Sequence, residues 1–258
     1  MNAGRAGAFS AVCIVLTGCQ MFDEKRDSNP QDPYASLSQS DVYVQLGIQY
    51  MEQGMLETAD ADLKRAIDLD SSNSEAYNAL GVLYDRLQRD DEADGYFRKA
   101  IANNPENYSA RNNYGRFLCE HGRQQDGMAQ FRQVIAAPLY QQPWLPLTNA
   151  GICSKAANRN AEAEGFFRQA LQANPRFAPA LLEMAKLTVA SKQYLPARGF
   201  LQRYREVAAE TPASLWLGAQ TELALGDRAA AASYLERLHT GFPDSFEAGQ
   251  AARWGSLH

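Results

Sequence analysis

The amino-acid sequence repeats itself with a period of 34 residues over most of its length. Segments that begin at Ser40, Ser74, Tyr108, Trp144, Ala178 and Pro212 place the same classes of residue in register, with one longer step of 36 residues before Trp144. The second segment shows the recurring residues most fully, as Tyr77, Leu80, Gly81, Tyr84, Ala93, Phe97, Ala100 and Pro105 at positions 4, 7, 8, 11, 20, 24, 27 and 32. A fixed period of this length indicates stacked supersecondary units, none of which can bury its apolar face alone.

The recurring positions predict two antiparallel helices in each unit. Small residues at positions 8 and 20, such as Gly81 and Ala93, let the two backbones approach closely, and large residues at positions 4, 7, 11 and 24 fill the surrounding space. A proline such as Pro105 ends the second helix, because proline has no amide donor and clashes with the preceding turn. The pattern resembles the tetratricopeptide repeat. That resemblance implies an all-α, right-handed superhelix of six helix-turn-helix repeats over residues 40–244, followed by a capping helix and tail over 245–258.

The amino terminus has the features of a signal peptide. Residues 1–18 contain one charged side chain, Arg5, and then a run of small and apolar residues that is too short to span a bilayer as a mature helix. The sequence Leu16-Thr17-Gly18-Cys19 resembles the bacterial lipobox. This resemblance implies that residues 1–18 are removed and that Cys19 is lipidated. The alternative is an ordinary secreted protein in which Cys19 is incidental.

The segment between the lipobox and the first repeat is polar. Residues 20–39 contain Pro30 and Pro33, scattered charges and no helical apolar stripe, which predicts that residues 19–39 form a lipidated cysteine followed by a flexible tether. Gln20 stands where the inner-membrane retention signal of bacterial lipoproteins has aspartate. By the same resemblance, we expect an outer-membrane location with a lipid anchor and with the repeat body facing the periplasm.

Composition and motifs exclude several classes of function. The chain has 25 basic and 30 acidic side chains and a formal charge of −5, and it lacks the clustered Lys and Arg that nucleic-acid binding requires. The histidines are His121, His239 and His258, and none is paired with a cysteine at metal-ligand spacing. No glycine-rich phosphate loop is present. The sequence therefore predicts a protein that is not an enzyme, without cofactor, metal or small-molecule substrate.

Two cysteines remain in the predicted mature chain beyond Cys19. Cys119 is at position 12 of the third repeat and Cys153 is at position 10 of the fourth, so they fall on neighbouring and roughly parallel helices. Their levels along these helices could bring the α-carbons within the roughly 4.4 to 6.8 Å that a bridge requires, and the periplasm oxidises thiols. The two alternatives are a Cys119–Cys153 disulfide and two buried free thiols.

A protein without a catalytic site must act through a surface. In the tetratricopeptide-repeat family the first helix of each repeat lines a concave groove, and positions 2, 5, 9, 12 and 13 usually contact the ligand. The resemblance implies a protein-binding groove that includes Val44, Ile48, Met51, Asn78, Val82, Asn112 and Arg116. Its apolar members would anchor a partner, and Asn78 and Asn112 would hydrogen bond to the backbone of an extended ligand. The alternative for the apolar strip is contact with another part of the same chain.

Two further segments could contribute to recognition. The fourth and fifth repeats present a second apolar strip with cationic neighbours, formed by Ile152, Lys155, Leu182, Lys186 and Val189. The longer step between the third and fourth repeats contains prolines and aromatic residues over 138–146. These residues either form a protruding recognition knob or pack the displaced helix against its neighbour.

A lipobox, a tether and six repeats together resemble the lipoproteins of type IV pilus biogenesis known as pilotins. The segments 78–84 (NALGVLY) and 112–119 (NNYGRFLC) match that family well. The resemblance implies that the partners are type IV pilus secretin subunits, which the lipoprotein brings to the outer membrane and helps to multimerise, and so supports pilus assembly and twitching motility. One alternative is a general periplasmic scaffold lipoprotein that recruits cell-wall enzymes or a protease. A second alternative is an allosteric regulator of an enzyme.

Overall fold

The computed structural model describes residues 37–138 and 140–255. Over these residues the chain forms thirteen α-helices and no strand. The helices are α1 Gln39–Glu52, α2 Leu56–Leu69, α3 Ser74–Arg86, α4 Asp90–Asn103, α5 Tyr108–Glu120, α6 Gln124–Ile135, α7 Trp144–Ala156, α8 Asn160–Ala173, α9 Ala178–Ala190, α10 Tyr194–Arg205, α11 Pro212–Ala224, α12 Arg228–Gly241 and α13 Phe246–Gly255. The prediction of an all-α fold is confirmed.

The first twelve helices form six consecutive hairpins, whose first and second members we call A and B helices. Each hairpin packs on the next, which is the arrangement of a tetratricopeptide-repeat superhelix. Among the described helices, consecutive A helices contact each other, whereas consecutive B helices do not. The A helices therefore form the inner, concave layer and the B helices form the outer layer.

A glycine and a large side chain meet at the crossing of the two helices in most hairpins. A β-carbon on Gly81 would lie 2.6 Å from the ring of Phe97, so only glycine fits at this position. Gly115 and Phe131 repeat the contact in the third hairpin. The same contact also joins Gly47 to Leu63 and Gly151 to Phe167. The periodic glycines are therefore explained by helix packing rather than by a ligand.

The sixth hairpin makes this contact one residue earlier than the 34-residue pattern predicts. Gly218 lies against Tyr234, with a β-carbon on the glycine 2.5 Å from the ring, although the pattern places the large residue at Leu235. Tyr234 is buried as a result, and Leu235 is only partly buried. The shift therefore buries Tyr234 at the crossing and leaves Leu235 less buried than the large residues at the same position of the other hairpins.

Serine and asparagine side chains join the first three repeats. Asn73 Oδ1 accepts a hydrogen bond from the amide of Ala76 and so caps α3, while Asn73 Nδ2 donates to Ser40 Oγ over 2.8 Å. Ser40 Oγ in turn donates to the carbonyl of Ala66 at the end of α2. Asn107 and Ser74 form the same chain of bonds one repeat later. Because asparagine is a favoured cap residue, one side chain both starts a helix and fixes it to the preceding hairpin.

Cys119 and Cys153 form a disulfide between α5 and α7, with the α-carbons 5.5 Å apart. The bond links the A helices of the third and fourth repeats. Gly127 faces the bridge from α6, where a β-carbon would lie 2.6 Å from the carbonyl oxygen of Gly115. The third hairpin is therefore packed too closely for the alanine that other repeats have at this position.

The longer connection before α7 packs onto the protein. The ring of Tyr140 lies edge-on to Tyr108 at a centroid distance of 5.6 Å, and Trp144 contacts Phe177 at 6.5 Å. Burial raises the pKa of Tyr140 above its ordinary value. Of the two alternatives for this connection, these contacts correspond to packing rather than to a protruding knob. Leu139 lies outside the described residues.

Helix α13 covers the last hairpin through small side chains. Ala248 and Ala251 are buried in the same cluster as Leu215 and Leu238. Phe246, the first residue of α13, is 71% exposed. Because α13 lies close to α11, alanines fit at the contact and the larger phenylalanine does not. No described helix is both long enough and apolar enough to cross a membrane.

Candidate functional site

The inner layer separates the predicted groove residues into two groups. In the first repeat positions 5 and 12, and in the second repeat position 5, lie at the contact between consecutive A helices, where the next repeat covers the side chains. Val44 and Met51 are each only 5% exposed and belong to the core, and Asn78 is 6% exposed. The prediction that these three residues contact a ligand is therefore wrong, because the A helices pack too closely for their side chains to reach the surface.

The buried amides bond to each other instead of to a ligand. Asn113 Nδ2 donates to Asn78 Oδ1 over 3.0 Å, and Asn78 Nδ2 donates to Glu75. Asn149 Nδ2 donates to Asn112 Oδ1 over 2.9 Å in the next repeat. The side chain of Asn112 remains partly exposed, and its Oδ1 accepts this bond from Asn149. The bonds from Asn113 and Asn149 join consecutive A helices.

Position 9 is the position that reaches the concave surface. We call the residues at this position the inner stripe; they are Ile48, Val82, Arg116, Ile152, Lys186 and Gln220. Ile48 is 39% exposed and Ile152 is 41% exposed, which is unusual for isoleucine on a helix that also faces a core. Val82 is half-buried at the edge of the N-terminal core. Ile48, Val82 and Ile152 are therefore the apolar groups that a partner could cover.

Arg116 is held by two carboxylates within this stripe. Its guanidinium donates to Asp85 over 2.9 Å and to Glu120 over 2.6 Å. Burial lowers the pKa of Arg116, but the two carboxylates outweigh that effect and the net pKa is raised. The cation is therefore compensated inside the protein and separates the apolar residues at either end of the stripe.

A buried carboxylate also neutralises part of the second predicted strip. Glu183 on α9 contacts the ammonium of Lys155 and accepts a hydrogen bond from Lys186 over 2.7 Å. Burial raises the pKa of Glu183, but the two ammonium groups together lower it below its usual value. Both predicted cations are thus bonded to Glu183; the Lys155 contact links the fourth repeat to the fifth, and the Lys186 contact lies within α9.

The remaining predicted site residues concern lipid and metal. Cys19, the signal peptide and most of the tether fall within residues 1–36, which are outside the described part of the chain. In residues 37–138 and 140–255 there is no group of three or more His, Cys, Asp or Glu side chains that could hold a metal ion.

Comparison with known proteins identifies the repeat. Family models of the tetratricopeptide repeat match residues 47–88, 74–107, 96–129, 155–221 and 213–245. These matches cover more than half of the chain and both halves of the helical stack. The prediction of tetratricopeptide repeats is therefore confirmed.

The chain is also similar over nearly its whole length to proteins of type IV pilus biogenesis. The type IV pilus assembly protein PilF of Pseudomonas aeruginosa is 30% identical over 244 residues, which are 94% of this chain and 96% of the relative. The solved structure of P. aeruginosa PilF superposes with a TM-score of 0.73 at 30% identity, covering 83% of this chain and 96% of that one. The structure of PilW, described as a widely conserved type IV pilus biogenesis factor, gives a TM-score of 0.74 at 31% identity over 83% of this chain and 98% of that one. The chain therefore belongs to the PilF and PilW family of tetratricopeptide-repeat proteins of type IV pilus biogenesis.

Proposed function

We propose that this protein is a pilotin, a lipoprotein of the outer membrane that binds subunits of the type IV pilus secretin and promotes their multimerisation. The observation that carries the proposal is the similarity to PilF over 94% of this chain and 96% of PilF. The lipobox-like sequence that ends in Cys19 supports a lipid anchor. In such a protein the repeats supply the binding surface, and the lipid anchors the protein in the outer membrane.

The apolar end of the inner stripe is the surface on which we place the secretin. Ile48 and Val82 occupy the same position in consecutive repeats, so an apolar segment lying across α1 and α3 could cover both. Covering a partly exposed isoleucine removes apolar area from water at about 25 cal/mol per Å². A few such residues, surrounded by polar groups, typically dominate the energy of a protein interface.

Lipid attachment would turn this binding into assembly. Acyl chains contribute about 0.8 kcal/mol for each buried methylene group, so two or three chains make a permanent anchor. Secretin subunits bound to anchored pilotins would share a membrane surface, which raises their effective concentration without any new contact between them. We therefore expect the protein to act by positioning, with no chemical step.

The binding surface is tested by placing a charge on the inner stripe. Ile48→Glu and Val82→Glu should each reduce the amount of secretin multimer in membranes and reduce twitching, because a desolvated carboxylate opposes contact with an apolar segment. Leu195→Glu is the matched control, since Leu195 is 67% exposed on α10 in the outer layer. Multimers would be separated by gel electrophoresis and detected with an antibody to the secretin. Normal multimers in the Ile48→Glu strain, with the variant present and folded, would remove this surface.

The lipid anchor is tested by replacing its cysteine. Cys19→Ser should abolish incorporation of radiolabelled palmitate, release the protein from the outer-membrane fraction and leave the secretin unassembled or in the inner membrane. Affinity purification of the lipidated protein should recover secretin. Recovery of cell-wall enzymes or a protease without secretin would favour the scaffold function over the pilotin function.

A further inference from the structure

A cleft with a volume of about 870 Å³ lies at the other end of the superhelix, between the fifth repeat, the sixth repeat and the capping helix. We call it the C-terminal cleft. Its apolar walls include Val189 and Leu223, from the last turns of α9 and α11, together with Leu235 of α12 and Ala251 of α13. A cleft of this size can enclose several side chains of a bound molecule.

Position 12 of the A helix is apolar and partly exposed only in the last two repeats. Val189 and Leu223 are both at position 12. In the preceding repeats that position holds Met51, which is buried, Asp85, which pairs with Arg116, Cys119, which forms the disulfide, and Lys155, which pairs with Glu183. In the fifth and sixth repeats position 12 is apolar and remains partly exposed.

The shift in the sixth hairpin supplies a third apolar side chain. Because Tyr234 takes the place against Gly218, Leu235 is only partly buried at the edge of the C-terminal core, and it also lines the C-terminal cleft. A regular repeat would have buried this leucine. The shift therefore adds one apolar side chain to the wall of the C-terminal cleft.

Two cations stand beside these apolar walls. Lys192 lies in the turn between α9 and α10 with a left-handed backbone (φ 57°), and Arg228 is the first residue of α12; both line the C-terminal cleft and both are exposed. Within the residues that the structure describes, neither side chain has a carboxylate partner. Of the acids close to Arg228 in sequence, Glu222 accepts from Arg198 over 2.9 Å, and Asp227 uses one oxygen to cap α12 by accepting from the amide of Ala230.

We propose that the C-terminal cleft is a second protein-binding site, which takes an extended segment of another polypeptide that carries both apolar and acidic side chains. Apolar side chains of the segment would rest between Val189, Leu223 and Leu235, and aspartate or glutamate side chains would pair with Lys192 and Arg228. Lys192 lies in the turn after α9 of the fifth repeat, and Arg228 begins α12 of the sixth. Cations on two different repeats suit a segment that crosses both repeats more than a single terminal carboxylate. A concave cleft whose apolar walls come from α9, α11, α12 and α13 also suits a polypeptide more than a flat lipid surface.

This site is independent of the surface proposed for the secretin. Ile48 and Val82 belong to the first two repeats, whereas the C-terminal cleft is built by the last two and α13. The third and fourth repeats, joined by the disulfide, lie between them. The protein could therefore hold two polypeptide segments at once.

The test uses short random peptides displayed on phage and selected against the purified repeat body. Selected peptides would be synthesised with amidated carboxyl termini and fluorescent labels, and their Kd would be measured by anisotropy. Enriched sequences should combine apolar residues with Asp or Glu. Lys192→Glu/Arg228→Glu and Val189→Asp should each raise Kd by about tenfold or more, because close charge pairs and buried apolar contacts each contribute on that scale.

Matched variants make the outcome decisive. Arg65→Glu/Arg132→Glu changes the net charge equally at two exposed cations of the outer helices α2 and α6, and it should leave Kd nearly unchanged. Ile48→Glu should also leave Kd unchanged. Enriched peptides without acidic residues, equal binding to the Lys192→Glu/Arg228→Glu variant, a requirement for a free carboxyl terminus, or loss of binding in Ile48→Glu would each overturn the proposal. The assay contains no secretin, so its result does not depend on the proposed pilotin function.

Discussion

The inner faces of the first two and last two repeats use the same repeat positions in opposite ways. In the first two repeats the exposed apolar residues are Ile48 and Val82 at position 9, while Met51 at position 12 is buried. In the last two repeats position 9 is polar, and the apolar residues Val189 and Leu223 are at position 12. One superhelix therefore presents two different apolar surfaces, because the contact between A helices covers position 12 at one end and leaves it open at the other.

The middle of the molecule keeps these two surfaces apart. Between them lie the disulfide, the pair of Arg116 with Asp85, and the contacts of Glu183 with two lysines. The disulfide, the Arg116–Asp85 pair and the contact of Glu183 with Lys155 each join one A helix to the next through position 12 or its neighbours. We expect the middle repeats to be the most strongly coupled part of the inner layer, and the predictions below measure that coupling.

The largest effect should come from removing the disulfide. Cys119→Ser/Cys153→Ser should lower the free energy of unfolding by about 3 to 4 kcal/mol, because the bridge closes a loop of 34 residues and so restricts the unfolded chain. Denaturant titration followed by circular dichroism measures the change. The variant should also unfold in two steps that separate the N-terminal and C-terminal repeats, since repeat proteins lose cooperativity when an internal interface weakens.

Reduction of the disulfide provides the control for that prediction. The wild-type protein in a strong reductant should behave like the variant, and the variant should not respond to the reductant. A loss of stability below about 1 kcal/mol would show that noncovalent packing already couples the middle repeats, since measured effects of disulfides range from about 0 to 5 kcal/mol.

Replacing the glycine at a helix crossing by alanine should lower the free energy of unfolding by a similar amount in the second and the sixth hairpin. Gly81→Ala and Gly218→Ala should each destabilise by about 1 to 3 kcal/mol, because the added β-carbon would overlap an aromatic ring of the paired helix. Gly95→Ala on α4 has open space and should stabilise the protein by about 0.5 to 1 kcal/mol. If Gly218→Ala is tolerated like Gly95→Ala, then the sixth hairpin is not shifted and Leu235 has no reason to face the C-terminal cleft.

The sequence predicts the hairpins well because their packing is local. Gly81 and Phe97 are 16 residues apart, and the same glycine and large residue recur at that spacing, so periodicity is sufficient to place both helices and their crossing. Whether Val44 or Ile48 reaches the surface depends instead on the distance between A helices of different repeats, which no single repeat encodes. The repeat period also does not predict the C-terminal cleft, because two of its lining residues depend on features outside that period. Leu235 lines it after the one-residue shift at Tyr234, and Ala251 belongs to the capping helix.

The buried carboxylate of α9 should make stability depend on pH. Glu183→Gln should cost about 1 to 2 kcal/mol at neutral pH, because hydrogen bonds between charged groups are lost while both lysines remain. The folded-state pKa of Glu183 is lowered, so the unfolded state binds the proton more tightly and the wild-type advantage is present above the unfolded pKa. That advantage should shrink below about pH 4, where the glutamate begins to be protonated.

Thermal melts of both proteins across this pH range measure the difference. Glu164→Gln on α8 is the control, because Glu164 pairs with Arg168 on the outer surface within one helix and does not link repeats. A constant difference between wild type and Glu183→Gln at all pH values would contradict the proposed role of the ionised carboxylate in joining the fourth and fifth repeats.

The smallest effect should come from the ion pair that links the second and third repeats. Asp85→Asn should cost about 0.5 kcal/mol, and a double-mutant cycle with Arg116→Gln should give a coupling energy of similar size, since partly exposed pairs contribute little. Because the pair is partly exposed, the coupling should weaken as salt concentration rises. A coupling energy of zero at low salt would mean that Arg116 only separates the apolar residues of the inner stripe. The disulfide, the hydrogen bond from Asn149 to Asn112 and the contact of Glu183 with Lys155 would then remain as links between the A helices of the middle repeats.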